Sequence, residues 1–363
     1  MASESESLAD PSGPTASDRE NFHLCGPSHL TTVDWKDPVH RRSVAACLVQ
    51  GVYVLERDRQ EKREGSQALA PPWWKSFDFQ LHTQLIDDAD SCVFGAIYQL
   101  NSTNSDGNDS APRYVIAFRG TITKGDAFTR DLELDIHIVR NGLHQTSRFE
   151  IGIQAVRHIV ATYGSSNVWL TGHSLGAAMA LLAGKNMAKM GVFLEAFLFN
   201  PPFFSAPIES IQDKKVKHGI RFAGSVITAG LAFAMKSNQT TNHTGSTFVA
   251  LSAWLPCLFV NPADHICSEY IGYFEHRKQM EDIGAGAIER LATQHSIGGL
   301  LLNAMGKQSE EPLHLIPSAN LTVNVTRHET SMMLMAFISG GDPICCWIQR
   351  LTTIDDCISF ICN

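Results

Sequence analysis

The chain has 363 residues, with 29 Lys+Arg against 37 Asp+Glu and a formal net charge of −8. Apolar residues make up 44% and charged residues 18%, a globular balance that excludes a mostly disordered chain, a fibrous repeat and a bundle of membrane helices. Net acidity without any Lys/Arg run leaves no electrostatic footprint for nucleic acid, and the length suits two or three domains or one α/β domain with insertions.

The start, MASESESLADPSGPTASDRE, holds five acids, five serines and one arginine. Neither a secretory signal nor a mitochondrial presequence has that composition. Residues 1–28 are therefore expected to form a disordered acidic tail, and the cytoplasm is the expected compartment. Asp37 to Arg63 reads as a helix, because Val44, Leu48, Val52 and Leu55 recur at three- and four-residue steps with charges outside. Pro71-Pro72 breaks it, and the adjoining Trp73-Trp74 reads as core packing. Asp87-Asp88-Ala89-Asp90 reads as a solvated loop, Cys92–Leu100 as a strand, and NSTNSDGNDSAP after it as a turn-forming loop.

Tyr114–Phe118 is a continuous apolar run suited to a buried parallel strand. Arg148–Tyr163 reads as an amphipathic helix, Asn167–Leu170 as a strand, and Leu175–Met190 as a small-residue-rich helix stopped by Gly191. Ala196–Phe199 and Leu258–Val260 are further strands, and Glu275–Thr293 a charged helix interrupted by Gly284–Ala287. The longest apolar stretch, Phe222–Met235, has fourteen residues, short of the roughly 20 that a membrane span needs. It reads as a buried or interfacial helix walling a pocket or cap, with a peripheral membrane contact as the lesser alternative. Lys214-Lys215-Val216-Lys217 reads as a surface basic turn. Strands alternating with helices of this length imply βαβ units and a mainly parallel sheet.

Two ligand classes find no support. No Gly-rich phosphate loop follows a strand, since Gly284-Ala285-Gly286 lies in helical sequence and lacks the third glycine. Nine cysteines are present, four of them in the last nineteen residues, but no C-x2-C pair and no histidine at zinc spacing stands beside them. No metal and no organic cofactor is expected, and the thiols should be reduced.

The chemistry-bearing stretch is NVWLTGHSLGAAMALLAGKNMAK. Gly172-His173-Ser174-Leu175-Gly176 is a G-x-S-x-G between a strand and a helix, the context a nucleophile elbow requires. Gly172 and Gly176 flank the serine where a strained turn leaves no room for Cβ atoms. The alanines that follow allow a helix to pack closely, with its N-terminal amides near the reacting oxygen. Ala117-Phe118-Arg119-Gly120-Thr121 ends an earlier buried strand. Its loop is placed to offer a second oxyanion donor beside the backbone N–H of Leu175, and Thr121 could add its hydroxyl.

FRGT, then DLELD (Asp131–Asp135), then GHSLGAAMA resembles the fungal lipase-like class 3 lipases of the α/β-hydrolase superfamily, and more closely the cytosolic plant lipase-like group. The likeness runs from about Leu30 through NPPFFSAPIE and CLFVNPADHICSEYIGYFEHRKQME to LIPSANLTVN. It implies an α/β-hydrolase fold: a mainly parallel sheet flanked by helices, in a single domain with helical insertions spanning 29–326, followed by a divergent tail over 327–363. It also implies Ser174 as nucleophile, Thr121 with Leu175 as oxyanion hole, and Asp264 as the acid that orients a base. Read by itself, Asp264 fits a turn-capping aspartate after a proline better than a catalytic one, and the resemblance reverses that preference. The implied substrate is a carboxylic ester or acyl lipid.

One part of the pattern is missing. The family's catalytic histidine follows the strand corresponding to LTVN in a segment resembling A-H-G-x-x-Q-W-W, and nothing of that kind follows Asn324. Of the later histidines, His265 adjoins Asp264, His276 resembles a non-catalytic family position, and His295 and His314 have nothing to single them out. His328 is nearest in chain order to the lost residue, although a solvated histidine in a new tail is the weightier reading of it. An elbow serine without its base keeps only residual reactivity. The chain as written is therefore expected to react slowly at Ser174, with a catalytically silent lipase-like scaffold as the alternative.

Overall fold

The computed structural model describes residues 19–101, 110–122, 146–203, 220–226, 228–229, 250–264, 266–286, 288, 316–324 and 357–362. Its centre is an eight-stranded sheet: β1 (Phe79–Ile86), β2 (Val93–Leu100), β3 (Tyr114–Phe118), β4 (Val168–His173), β5 (Glu195–Phe199), β6 (Cys257–Val260), β7 (Ala319–Asn324) and β8 (Cys357–Cys362). The strands lie side by side in chain order. β3 to β7 run parallel, while β1, β2 and β8 pair antiparallel at the two ends.

That order dictates where the helices sit. Each step between parallel strands moves the same way across the sheet, and right-handed crossovers then deliver every connecting helix to one face. Accordingly α4 (Ser147–Tyr163), α5 (Leu175–Lys189) and α6 (Glu269–Asp282) share one core layer with Ile116, Phe118, Leu170, Leu198, Leu258 and Leu321. The alternate strand residues Val115, Ala117, Trp169, Phe197 and Phe259 point to the opposite face. There they meet α1 (Phe22–Cys25), α2 (Pro38–Glu61) and α3 (Pro72–Lys75). Strands buried on both faces read as unbroken apolar runs, which is why Tyr114–Phe118 was legible as parallel sheet.

The structure corrects several expectations. Residues 19–28 do not belong to a disordered tail: Phe22 and Cys25 are buried, Trp73 Nε1 donates to the Glu20 carbonyl (2.9 Å), and Arg63 pairs with the Glu20 carboxylate (2.6 Å). Residues 1–18 lie outside the described residues. The α2 helix starts as its sequence demands, with Pro38 at the first position and Asp37 accepting the Val39 N–H at 2.8 Å. Its charges are not all outside, however. Asp58 is buried and accepts the Leu69 and Ala70 N–H groups as well as Arg63, and Glu56 is 1% exposed.

Asp87 is likewise no solvated loop residue. It is buried and accepts from Arg148 Nε (2.6 Å), Ser147 Oγ (2.8 Å) and the Ala89 N–H (3.1 Å), clamping the start of α4 to the β1–β2 turn. The charged helix expected over Glu275–Thr293 starts earlier, at Glu269, and breaks after Asp282 at the expected interruption, with Gly284 at φ 76°; residues 289–293 lie outside the described residues. Part of the divergent tail, Cys357–Cys362, pairs with β7 as an edge strand. Among the described residues no helix is long and apolar enough to cross a membrane. The basic turn at 214–217 and the end of the apolar stretch beyond 229 lie outside the described residues.

These buried carboxylates make stability depend on acid. Burial alone would raise the Glu56 and Asp87 carboxyls, but hydrogen bonds from Arg59, the Val93 N–H and Gln60 to the first, and from Arg148, the Ala89 N–H and Ser147 to the second, outweigh it. Both stay below the ordinary carboxylate range. A carboxyl depressed on folding contributes stability that is present above its unfolded value, about 4, and lost as pH falls through the folded one. The urea midpoint should therefore hold level from about pH 7 to 5 and drop below about pH 4, and Asp87→Asn should shallow that drop. A midpoint unchanged at pH 3 would contradict this assignment.

Candidate active site

Parallel strands in one register bring their C-terminal ends to one edge. Phe118 pairs with Gly172, His173 with Phe199, Phe199 with Phe259 and Val260 with Val323. The segments holding Thr121, Ser174, Asn200 and Asp264 all leave the sheet along that edge, where open α/β sheets bind their ligands.

Ser174 occupies the turn between β4 and α5 with φ 52° and ψ −122°, outside the regions an L-residue favours. Two close approaches enforce this geometry. A Cβ on Gly172 would run into the Gly176 carbonyl, and one on Gly176 into the carbonyls of Phe118 and Arg119. The Ser174 N–H donates to Phe199 O (3.0 Å), and its carbonyl accepts the Ala178 N–H (3.1 Å). The residue is 8% exposed, and its Oγ has no hydrogen-bond partner among the described residues.

Gly120 lies directly against this serine, since a Cβ there would stand 3.0 Å from Ser174 Cβ and 2.7 Å from the Tyr53 hydroxyl. The next residue, Thr121, has a buried hydroxyl that also lacks a partner among the described residues. FRGT and the elbow are thus adjacent in space, about fifty residues apart in sequence. Leu175 is the first residue of α5, so its amide belongs to the helix N-terminus beside the serine.

Asp264 is on the same edge. Asp264 follows β6, two strands from β4, in a turn where its N–H donates to Asn261 O (3.0 Å) and its Oδ1 accepts the Ile266 N–H (3.0 Å). Between them, at the end of β5, Asn200 is buried with φ 45° and its Oδ1 unpaired among the described residues. Sequence reasoning passed over it, although an Asn-Pro pair closing a strand was a visible signal.

The histidines divide clearly. His173 is buried, and burial pushes it down to about 3, so it is neutral and no general base at ordinary pH. Its Nδ1 meets the Tyr53 hydroxyl at 2.9 Å. His276 sits in α6 with Nε2 3.0 Å from Ser225 Oγ, beside the Arg221–Glu269 ion pair. His265, His295, His314 and His328 lie outside the described residues. The candidate metal-binding acids, Asp87 and Asp90 beside Cys92, are instead engaged by Arg148.

Known proteins share this sequence pattern. The class 3 lipase family matches residues 107–207, a span containing both FRGT and the elbow. A GDSL esterase/lipase of Arabidopsis thaliana is 57% identical over 323 residues, covering 85% of this chain and 91% of that protein. The chain belongs to the plant lipase-like family. This lipase-like chain contains no Gly-Asp-Ser-Leu; its serine lies in Gly-His-Ser-Leu-Gly. By family it is a lipase/esterase-like hydrolase, built on the mainly parallel, helix-flanked sheet described above. Among solved structures, a lipase from Rhizopus microsporus var. chinensis matches at 15% identity, covering 65% of this chain and 69% of the other, with TM-score 0.31. An esterase from Pseudomonas putida matches at 12% identity, covering 94% and 97%, with TM-score 0.33. Scores this low add nothing to the topology already described.

Proposed function

We propose that the lipase-like chain hydrolyses carboxylic esters, with small esters or acyl lipids as substrates, through an acyl-enzyme on Ser174. The observation that carries this is Ser174 in a strained turn, its buried hydroxyl without a partner among the described residues and its Cβ packed against Gly120. A turn costing on the order of 1–3 kcal/mol persists where function needs the side chain lifted out of the sheet.

The chemistry follows from the placements. Ser174 Oγ bonds to the ester carbonyl carbon while its proton passes to a base, and the carbonyl oxygen takes up the negative charge. Backbone N–H groups of Thr121 and Leu175 stabilise that charge. Collapse breaks the bond to the leaving alcohol, which receives the proton, and water repeats the steps to release the carboxylic acid. Asp264 takes the orienting role: it lies two strand spacings from Ser174, on the order of 10 Å, a gap that the two side chains and one imidazole between them span. β7 ends at Asn324 on this same edge, so His328 is the first histidine that chain order offers for the base.

Active-site labelling tests the assignment. A fluorophosphonate should modify Ser174, and Ser174→Ala should abolish the modification while leaving the free energy of urea unfolding within about 1 kcal/mol of the parent. Label that persists in Ser174→Ala removes the serine from the chemistry.

A further inference from the structure

Tyr53 of α2 and Arg119, just after β3, hold the loop beside Ser174 from the two sides of Gly120. The Tyr53 hydroxyl accepts the Gly120 N–H at 2.8 Å. On the other side of the same residue, Arg119 Nη1 donates to the Gly120 carbonyl at 2.7 Å. Arg119 Nε donates to the Val93 carbonyl (2.6 Å), and the Val93 N–H donates to Glu56 Oε2 (2.8 Å). Tyr53 and Glu56 are one helical turn apart, so the hydrogen bonds close a circuit: Tyr53, Gly120, Arg119, Val93, Glu56 and back along α2. Both Glu56 and Arg119 are buried, and an arginine spent on two backbone carbonyls in a core is too costly to be incidental packing.

A planar trans peptide fixes what this accomplishes. The carbonyl of Gly120 and the N–H of Thr121 belong to one peptide unit and point in opposite directions. Holding the carbonyl on the Arg119 guanidinium therefore sets the direction of the Thr121 N–H, away from Arg119. The geometry points to Arg119 as a positioning residue, assisted by Tyr53, that aims the Thr121 amide at the oxygen of the tetrahedral intermediate. Arg119 touches no substrate; it acts through one peptide plane. The inference rests on Ser174 being the nucleophile and goes beyond it by assigning the fixed orientation of the donor to two side chains from outside the elbow. Such a donor helps only as charge develops, because preorganised dipoles act on the transition state rather than on the ground state.

The test is the saturation kinetics of Ser174 phosphonylation by a fluorophosphonate, followed by intact mass over hours on the full chain, with Arg119→Gln, Tyr53→Phe and Ser174→Ala alongside. Arg119→Gln should lower the maximal labelling rate about 10- to 100-fold, below the 10²- to 10³-fold that loss of a whole oxyanion donor costs. The half-saturating probe concentration should not move. Tyr53→Phe keeps the ring in place and removes the Gly120 N–H acceptor, so it should show the same split to a smaller degree and serves if Arg119→Gln does not fold. A purely structural role would instead reduce the labelled fraction and leave the rate per labelled molecule unchanged, and that result overturns the inference while Ser174 keeps its role. Equal labelling of the parent and Ser174→Ala removes the nucleophile, and the inference falls with it.

Discussion

Replacing the residues after Asn324 with a family-like histidine-containing end should raise the rate of fluorophosphonate labelling at Ser174 by on the order of 10³- to 10⁴-fold. The elbow, its glycines and the Gly120-Thr121 loop lie together, but among the described residues no imidazole accepts from Ser174 Oγ. A serine hydroxyl attacks well only when a base takes its proton during attack. The chain as written should therefore react at the residual rate that an oxyanion hole alone supports. Ser174→Ala should eliminate labelling in both versions. Equal rates for the two ends would mean that the present chain already supplies a base, and a fall on His328→Ala would identify it.

The second large effect is on stability. Glu56→Ala should cost about 3–5 kcal/mol in urea unfolding, the usual penalty for breaking a buried charge network by removing one partner. The carboxylate accepts from Arg59 Nε (2.8 Å) and Nη2 (2.7 Å), Gln60 Nε2 (2.7 Å) and the Val93 N–H (2.8 Å), and its charge opposes that of Arg119. Truncation strands a buried amide and leaves the Arg119 guanidinium without its counter-charge. Glu56→Gln keeps an acceptor for the Val93 amide and should lose clearly less. A Glu56→Ala protein within 1 kcal/mol of the parent would show that the network carries little of the fold.

How far the sequence revealed this molecule depends on how local each signal was. The elbow was legible because the strand, glycines and alanine-rich helix are contiguous, and the central parallel strands because burial on both faces makes them uniformly apolar. β1 escaped notice: FQLHTQLI is an edge strand with an irregular register against β2 and mostly exposed side chains, so neither alternation nor an apolar run marks it. Asp87 was misplaced because its partners Ser147 and Arg148 lie sixty residues away in sequence. Glu56 sits on a helix whose apolar stripe suggested that charges face water, and only the folded neighbours Val93 and Arg119 show why a charge belongs inside. The tie between Tyr53 and Gly120 is invisible in sequence for the same reason: periodicity reports a helix's own faces, not what will be laid against them.

The placement of α2 also bears on how the protein is made. The helix is translated within the first 61 residues, yet the surface it covers includes Trp169, Phe197, Phe199 and Phe259. During synthesis the largely apolar stretch Val44–Val54 of this helix must wait for about 200 further residues before Phe259, the last of these partners, is made. At 5–20 residues per second that delay is roughly 10–40 s. Through that interval the nascent chain displays a sticky surface with no native partner to occupy it, so production should depend on chaperones that shield early segments at the ribosome.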